Sequence, residues 1–162
     1  MLRRISAGLV AASLLAFPAT AHHDGEIAKV GDLRVSHAWT QATGHMAHAI
    51  DVYLTIKNTG DDAARLVGAE VPFAKDGVFQ AQVVGKDGAL KTRNLDSVVI
   101  KPGQRITFQP GGTHIVFNDV GRHFNVGQQF HTKLTFADAG SVTVDVLVEQ
   151  GEEHDHEHED VS

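Results

Sequence analysis

The chain has 162 residues, no cysteine and a formal net charge of -6 at pH 7. An acidic chain of this kind does not suit nucleic acid or anionic lipid, so neither is expected as a partner. Because thiols are absent, disulfides contribute nothing, and any metal site must use His, Met, carboxylate or backbone ligands.

The N-terminal segment has the features of a signal peptide. A short positive region precedes an apolar or small run from Ile5 to Phe17. That run is shorter than the roughly 20 residues that a membrane-spanning helix needs. Ala19-Thr20-Ala21 forms a small-x-small cleavage site, after which His22 becomes the mature N-terminus. We therefore predict a signal peptide over residues 1–21 and a secreted, periplasmic protein with no stable membrane insertion after cleavage.

The middle of the chain is predicted to be β-structure. Residues 50–57 alternate between apolar and polar side chains, which is typical of a strand buried on one face. Residues 130–136 and 142–148 repeat the alternation on either side of Asp138-Ala139-Gly140, which predicts a hairpin. Shorter β-rich segments cover residues 33–37, 65–71, 78–84, 105–109 and 113–117. No helical period is sustained after the leader, so we predict an all-β sandwich or small barrel.

The C-terminal segment has a different composition. Residues 149–162 contain seven acidic residues, three histidines and one apolar residue, Val161. Such a segment buries too little surface to offset its ordering entropy, which predicts a disordered, acidic and His-rich tail over residues 150–162. One alternative function is a general periplasmic buffer for zinc, nickel or copper that uses the tail histidines, which are His154, His156 and His158.

Histidine is over-represented, with eleven copies, and neutral imidazole suits copper, zinc and nickel. His22 has the sharpest chemical case. An N-terminal histidine offers its α-amino nitrogen and its Nδ1 in one chelate ring. One further imidazole completes the T-shaped set of three nitrogens called a histidine brace, which suits Cu(II). The alternative is a frayed terminus that binds nothing specifically.

Two internal positions are further candidates. His45 and His48 flank Met46, whose thioether suits Cu(I). In an extended segment the two histidines point to opposite faces, so they share an ion only if a bend intervenes. His114 follows a glycine-rich turn and begins an apolar strand. The alternative for His45 and His48 is a solvated loop, and the alternative for His114 is a structural histidine. The remaining internal histidines stand singly, which favours structural roles: His37, His123 and His131.

Several sequence motifs follow one another along the chain. They are AWTQAT from Ala38, YLTIKNTG from Tyr53, RLVGA from Arg65, KPGQRITFQPGGTHIVF from Lys101 and LTF...GSVTVDV from Leu134. In this order they resemble the periplasmic copper chaperones called PCu(A)C. The resemblance implies a cupredoxin-like β-barrel over most of residues 22–149. It also implies copper as the cargo, and a copper-receiving membrane enzyme or another copper chaperone as the partner.

The chain departs from the usual ligand motif of that family. The motif is His, ten residues, Met, twenty-one residues, then His-x-Met. Aligned on His114, the other three positions fall on Ala81, Thr92 and Val116, which cannot bind copper. A variant branch associated with methane-oxidising bacteria binds Cu(II) through a histidine brace, and this chain resembles that branch. The common motif implies His114 as a ligand, and the brace implies His22. Among the internal histidines, His45 and His48 are the expected partners of His22.

We therefore predict a periplasmic copper-binding protein, a chaperone or storage protein that favours Cu(II) and needs no catalysis. The candidate metal ligands are His22, His45, Met46, His48 and His114. No nucleophile motif such as G-x-S-x-G or H-E-x-x-H is present. A histidine-brace copper monooxygenase is the enzyme alternative. It is disfavoured because the chain has one Trp and one Tyr with which to form an aromatic binding face.

Overall fold

The computed structural model describes residues 27–151, and every regular element in that range is a β-strand. The predicted signal peptide, His22 and nearly all of the predicted tail lie outside the described residues. No helix in the described range is long and apolar enough to cross a membrane. The strands are β1 (Ala28–Val30), β2 (Leu33–Gln41), β3 (Ala47–Asn58), β4 (Ala64–Glu70), β5 (Val78–Val84), β6 (Leu90–Leu95), β7 (Val98–Ile100), β8 (Arg105–Thr107), β9 (Thr113–Arg122), β10 (Gln129–Phe136) and β11 (Gly140–Glu149).

The strands form one folded sheet in the order β6-β5-β9-β3-β2-β11-β10-β4-β7, with β1 paired to β2 and β8 paired to β3. The twelve-residue β3 connects the two halves of the sheet. Its first part pairs with β9, its last part pairs with β8, and β2 pairs with it from Tyr53 to Asn58. All pairs are antiparallel except β11 with β2. The all-β prediction is confirmed.

A single hydrophobic core lies inside the folded sheet. Phe117 of β9 and Val146 of β11 belong to the same buried cluster, so both halves of the sheet contribute to it. Burying one such side chain stabilises the fold by about 1.5–3 kcal/mol. The inward-facing residues of β3 are all buried in this core: Ile50, Val52, Leu54 and Ile56.

The other face of β3 was expected to be solvated, and this expectation is wrong over its centre. Tyr53 and Thr55 are buried as well. The ring centroid of Trp39 on β2 lies 4.5 Å from that of Tyr53, and the Thr55 and Thr107 hydroxyls lie 3.4 Å apart. Side chains of the neighbouring strands therefore cover the polar face, and β3 is enclosed on both sides.

Two glycine turns position the later strands as the sequence predicts. Residues 137–139 connect β10 to β11, and Gly140 adopts a φ of 87°. Before β9, the Gly112 N–H donates to the Gln109 carbonyl at 3.0 Å, and Gly111 has a φ of 72°. Proline followed by a positive-φ glycine is the pattern of a type II turn. This turn delivers the chain into β9 just before His114.

Two buried threonines differ in whether the side-chain hydroxyl has a hydrogen-bond partner. Replacing each of them by valine gives a matched pair of tests of the fold. The Thr132 hydroxyl has no hydrogen-bond partner within the described residues, whereas the Thr40 hydroxyl donates to the Asp51 carbonyl at 2.7 Å. We expect Thr132→Val to raise the free energy of unfolding by about 1 kcal/mol, because it removes an unpaired polar group. Thr40→Val should lower it by about 1 kcal/mol, because a hydrogen bond is lost. Urea unfolding measures both changes, and a destabilised Thr132→Val variant would contradict the prediction.

Candidate metal site

His114 lies at the second position of β9, directly after the type II turn, and is 8% exposed. Its Nδ1 lies 3.2 Å from the Gly112 carbonyl oxygen. A carbonyl only accepts hydrogen bonds, so Nδ1 carries the proton in this contact and Nε2 keeps its lone pair. Metal-binding histidines are commonly oriented in this way by a carbonyl on their other nitrogen. Nε2 is therefore the nitrogen of His114 whose lone pair is available for a metal.

His114 belongs to a row of side chains that crosses the outer face of the sheet. On one side, the Tyr53 ring centroid is 6.3 Å from that of His114, and Trp39 stacks beyond Tyr53. On the other side, the cross-strand partner of His114 is Gln80, whose amide donates to Asn94 at 3.1 Å. We call these five residues the outer row. They come from β2, β3, β9, β5 and β6, and Tyr53 and Gln80 flank His114 on its two sides.

Tyr53 is kept neutral in this setting. Its hydroxyl donates to the Asp51 carboxylate at 3.4 Å. Burial, and after it the charge and hydrogen bond of Asp51, raise the pKa of Tyr53 to about 12. The phenol therefore stays protonated at neutral pH and offers no phenolate to a metal. The indole of Trp39 has only an N–H donor, so among these three aromatic residues His114 alone has a ring nitrogen whose lone pair could bind a metal.

The other positions of the usual His/Met motif carry no metal-binding side chain. Thr92 and Val116 lie on the outer face, as His114 does. Ala81 follows Gln80 on β5 and so points to the opposite face, because successive side chains of a strand alternate. The residue that pairs with His114 across the sheet is Gln80. The spacing of the motif along the chain instead assigns its first histidine position to Ala81, one residue later. Neither residue supplies an imidazole or a thioether.

Three predicted ligands lie together at the far end of β3 and are exposed: His45, Met46 and His48. The register of β3 against β9 shifts between Ala47 and Ala49, beside His48. Four residue steps lead from Ala49 to Tyr53, which places this end about 14 Å along the strand from the level of His114. The structure therefore separates these residues from His114, and the four candidate ligands within residues 27–151 fall into two positions.

A carboxylate near His48 is already paired. Asp119 contacts Lys75 at 2.5 Å. The hydrogen bond from Lys75, then its charge and, to a smaller degree, His48 lower the pKa of Asp119. Among residues 27–151, no three His, Asp or Glu residues are grouped so as to hold a metal ion.

Comparisons with known proteins establish the family. A profile of the family described as "Putative lipoprotein LpqE-like" matches residues 33–148. A protein of Leifsonia xyli subsp. xyli (strain CTCB07), described as "Putative lipoprotein Lxx21020", is 31% identical over 154 residues and is aligned over 90% of each chain. This chain belongs to the LpqE-like family. None of its 162 residues is a cysteine, so this sequence offers no thiol for the attachment of a lipid.

Solved structures of PCuAC domains share the fold of this LpqE-like protein. The copper-bound PCuAC domain from PmoF2 is 25% identical with a TM-score of 0.67, over 78% of this chain and 99% of that one. The apo PCuAC domain from PmoF1 is 27% identical with a TM-score of 0.68, over 78% and 100%. The apo form of DR1885 from Deinococcus radiodurans, at 21% identity and a TM-score of 0.59 over 92% and 99%, shows likeness of fold alone. The predicted resemblance to PCu(A)C proteins and the cupredoxin-like fold are confirmed.

Tyr53 is the only tyrosine of the chain, so phenolate absorbance in an alkaline titration reports on it alone. We expect its midpoint near pH 12 in the folded protein, against an ordinary value of 10.0. Asp51→Asn should lower this midpoint because a negative neighbour is removed. It should not restore the ordinary value, since burial is the largest cause of the shift. A wild-type midpoint at the ordinary value would contradict the buried position of the phenol.

The raised pKa of Tyr53 also makes the free energy of unfolding depend on pH. The folded pKa lies above the unfolded one, so the stability that it contributes is complete below about pH 10 and is lost as the pH rises toward 12. The difference in unfolding free energy between wild type and Tyr53→Phe should therefore shrink or reverse across that window. A constant difference between the two proteins would contradict this linkage.

Proposed function

We propose that this protein is a periplasmic copper chaperone or storage protein that holds Cu(II) through nitrogen ligands. The observation that best supports this is its likeness to the PmoF2 domain, one of whose solved forms is copper-bound. The lipoprotein descriptions of its relatives and its own predicted signal peptide support a location outside the cytoplasm. A carrier needs to bind and release its cargo, so the proposal includes no catalysed reaction.

The proposed ligand set joins His22 to His114. His22 would supply its α-amino nitrogen and Nδ1 in one chelate ring, and His114 would supply Nε2. The hydrogen bond from His114 Nδ1 to Gly112 supports this role, because it leaves Nε2 as the free nitrogen. Three nitrogens in this arrangement suit the tetragonal preference of Cu(II). Because the usual motif positions around His114 lack thioethers, the proposed site is not the soft site that Cu(I) prefers.

The position of β1 supports the choice of His114 as the internal partner. Ala28 pairs with Val35, on the opposite edge of β2 from β3. From β1 to β9 there are three strand spacings, or about 14 Å. The five residue steps from Ile27 back to His22 can span at most about 17 Å. His48 lies farther along β3 in the same direction, so His114 is the nearer partner.

The energy balance favours binding over a frayed terminus. Fixing each backbone residue of the N-terminal segment costs about 1–2 kcal/mol. Metal sites return on the order of 10 kcal/mol when their ligands are in place. The α-amino group and the imidazole of His22 belong to one residue, so the second nitrogen needs no loop closure. Fixing the five residues 22–26 costs about 5–10 kcal/mol, so the metal offsets this cost only when its full set of ligands forms.

The exposed group of His45, Met46 and His48 is proposed as a second and weaker copper position. Met46 is 59% exposed and is the one methionine beyond the predicted signal peptide. A single exposed thioether gives little affinity for Cu(I) compared with a site that holds two. Copper would thus be retained mainly at His22 and His114, and the His45 end would add capacity.

The decisive test of the brace is one extra glycine before His22. The addition keeps the imidazole but moves the α-amine out of the chelate ring. Cu(II) affinity, measured by competition with a chelator, should fall by at least about tenfold, which corresponds to about 1.4 kcal/mol. His114→Ala should cause a comparable loss, and His123→Ala, at an exposed single histidine, should cause none.

The intact mass of the periplasmic protein provides the control for this test, because the brace needs a mature N-terminus at His22. Unchanged affinity after the glycine addition would mean that His22 binds at most through its side chain, and the brace would be rejected. A chain that begins at His23 or Asp24 would have the same consequence.

Removal of residues 151–162 distinguishes the copper-chaperone proposal from the metal-buffer alternative. The deleted segment carries three histidines among acidic residues. We expect the number of Cu(II), Zn(II) and Ni(II) ions bound to fall, while the tightest Cu(II) site keeps its affinity. Equilibrium dialysis with metal analysis measures the capacity, and chelator competition measures the affinity. Loss of the tightest Cu(II) site on truncation would favour the general metal buffer.

A further inference from the structure

Arg122, the last residue of β9, is held by aromatic rings. Its guanidinium carbon Cζ lies 4.9 Å from the centroid of the Phe73 ring and 5.2 Å from that of Phe124. The ring of Phe124 is buried, and its centroid lies 5.7 Å from that of Phe73 and 5.5 Å from that of Phe130. The guanidinium therefore rests on rings that belong to the core or pack against it, which restrains its motion.

The charge of Arg122 is left available to a ligand. The side chain is exposed, and it forms no ion pair within residues 27–151. The carboxylate nearest to it in the sequence of β9, that of Asp119, is instead bound to Lys75. A guanidinium presents its N–H donors in a planar fork that matches the two oxygens of a carboxylate. Arg122 can thus bind a carboxylate that this part of the chain does not supply.

The backbone before Arg122 is irregular. Two residue steps in β3, from Ala49 to Ala47, lie opposite four in β9, from Asn118 to Arg122. Within the longer segment Asp119 has a φ of 59°, which is uncommon for a residue other than glycine. Extra residues in one strand of a pair redirect the side chains that follow them. Here they set Arg122 opposite Ala47, beside the exposed start of β3.

Exposed apolar side chains flank Arg122. Met46 directly precedes the partner of Arg122 on β3, and Val126 follows Phe124 by two residues; each is 59% exposed. The Thr43 N–H donates to the Phe124 carbonyl at 2.9 Å, so the segment leading to Met46 lies against the segment leading to Val126. We call Met46, Arg122 and Val126 the Arg122 patch. Arginine and methionine are enriched where proteins contact one another.

We propose that the Arg122 patch is a docking site for a partner protein whose contact surface presents carboxylate side chains. Charge complementarity at short range favours this partner. The chain has a net charge of -6, and at physiological salt its wider field is screened beyond about 8 Å. The restrained guanidinium then selects and positions a carboxylate, while Met46 and Val126 lose contact with water. A second copy of the chain fits less well, because two acidic molecules repel each other.

The test compares two synthetic peptides that differ only in carboxylates, Ac-Val-Glu-Val-Glu-Val-NH2 and its glutamine counterpart. The full chain is expressed with its own leader, recovered from the periplasm and freed of copper, because Met46 lies in the second copper position proposed above. Nuclear magnetic resonance of the labelled protein follows the Arg122 Nε–H and the backbone amides of Met46 and Val126 during each titration. The spectra also show whether each variant is folded.

Three variants separate the parts of the argument. Arg122→Met keeps an unbranched stem against the rings but removes the charge, and Arg122→Lys keeps the charge without the planar fork. Arg93→Met is the matched control, since Arg93 is an exposed arginine on β6. Because both variants at position 122 keep a long side chain over Phe73 and Phe124, the rings stay covered.

We expect the glutamate peptide to bind at least about tenfold more tightly than the glutamine peptide. Arg122→Met should remove this preference, Arg122→Lys should keep only part of it, and Arg93→Met should leave it unchanged. Equal binding of the two peptides, or a preference that survives Arg122→Met, would overturn the proposal.

Two other occupants of the patch give distinct results. A preference that emerges only after removal of residues 151–162 would assign the patch to the chain's own acidic segment. Shifts at Met46 and Val126 that depend on protein concentration, without peptide, would assign it to a second copy. Either result would overturn a partner protein as the occupant. Because the test uses copper-free protein, its outcome does not depend on the proposed copper ligands.

Discussion

The pairing of β3 with β2 on one edge and with β9 on the other is the constraint on which the rest of the structure depends. This pairing buries the apolar side of β3 in the core and places Tyr53 between Trp39 and His114 on the outer side. Without that enclosure the phenol would be solvated, and the His114 ring would lose its aromatic neighbour. The core and the candidate site therefore share one strand, and loss of its register would disturb both.

Much of this fold is visible in the sequence because alternation is strong wherever one face meets the core. Three strands lack that signal. β6 is exposed on nearly every residue, and β1 and β7 have three residues each, so none shows a readable period. The outer row is invisible for another reason. Tyr53 and His114 become neighbours through sheet register, and the spacing of residues along the chain does not encode register.

The candidate site shows the same division between local and long-range information. The turn before His114 and the contact of its ring with Gly112 involve residues close together in the chain. The glycine-rich sequence before His114 therefore predicts the turn. The separation of His114 from the His45 end is set by the length of β3, and the positive φ of His37 by the bulge in β2. Neither follows from residue types, which is why five candidate ligands could be named from the sequence but not sorted into positions.

The proposed ligand set, with one oriented imidazole on the folded domain and its other nitrogens at His22, would suit a carrier. A site built wholly from rigid strands would hold copper in a fixed geometry, and release would require the sheet to deform. In the proposed ligand set, the chelate at His22 is separate from the sheet, so release would require only the bond to His114 to break while the domain stays folded. Retention would then depend on the buried imidazole of His114, whose orientation the fold already sets through Gly112.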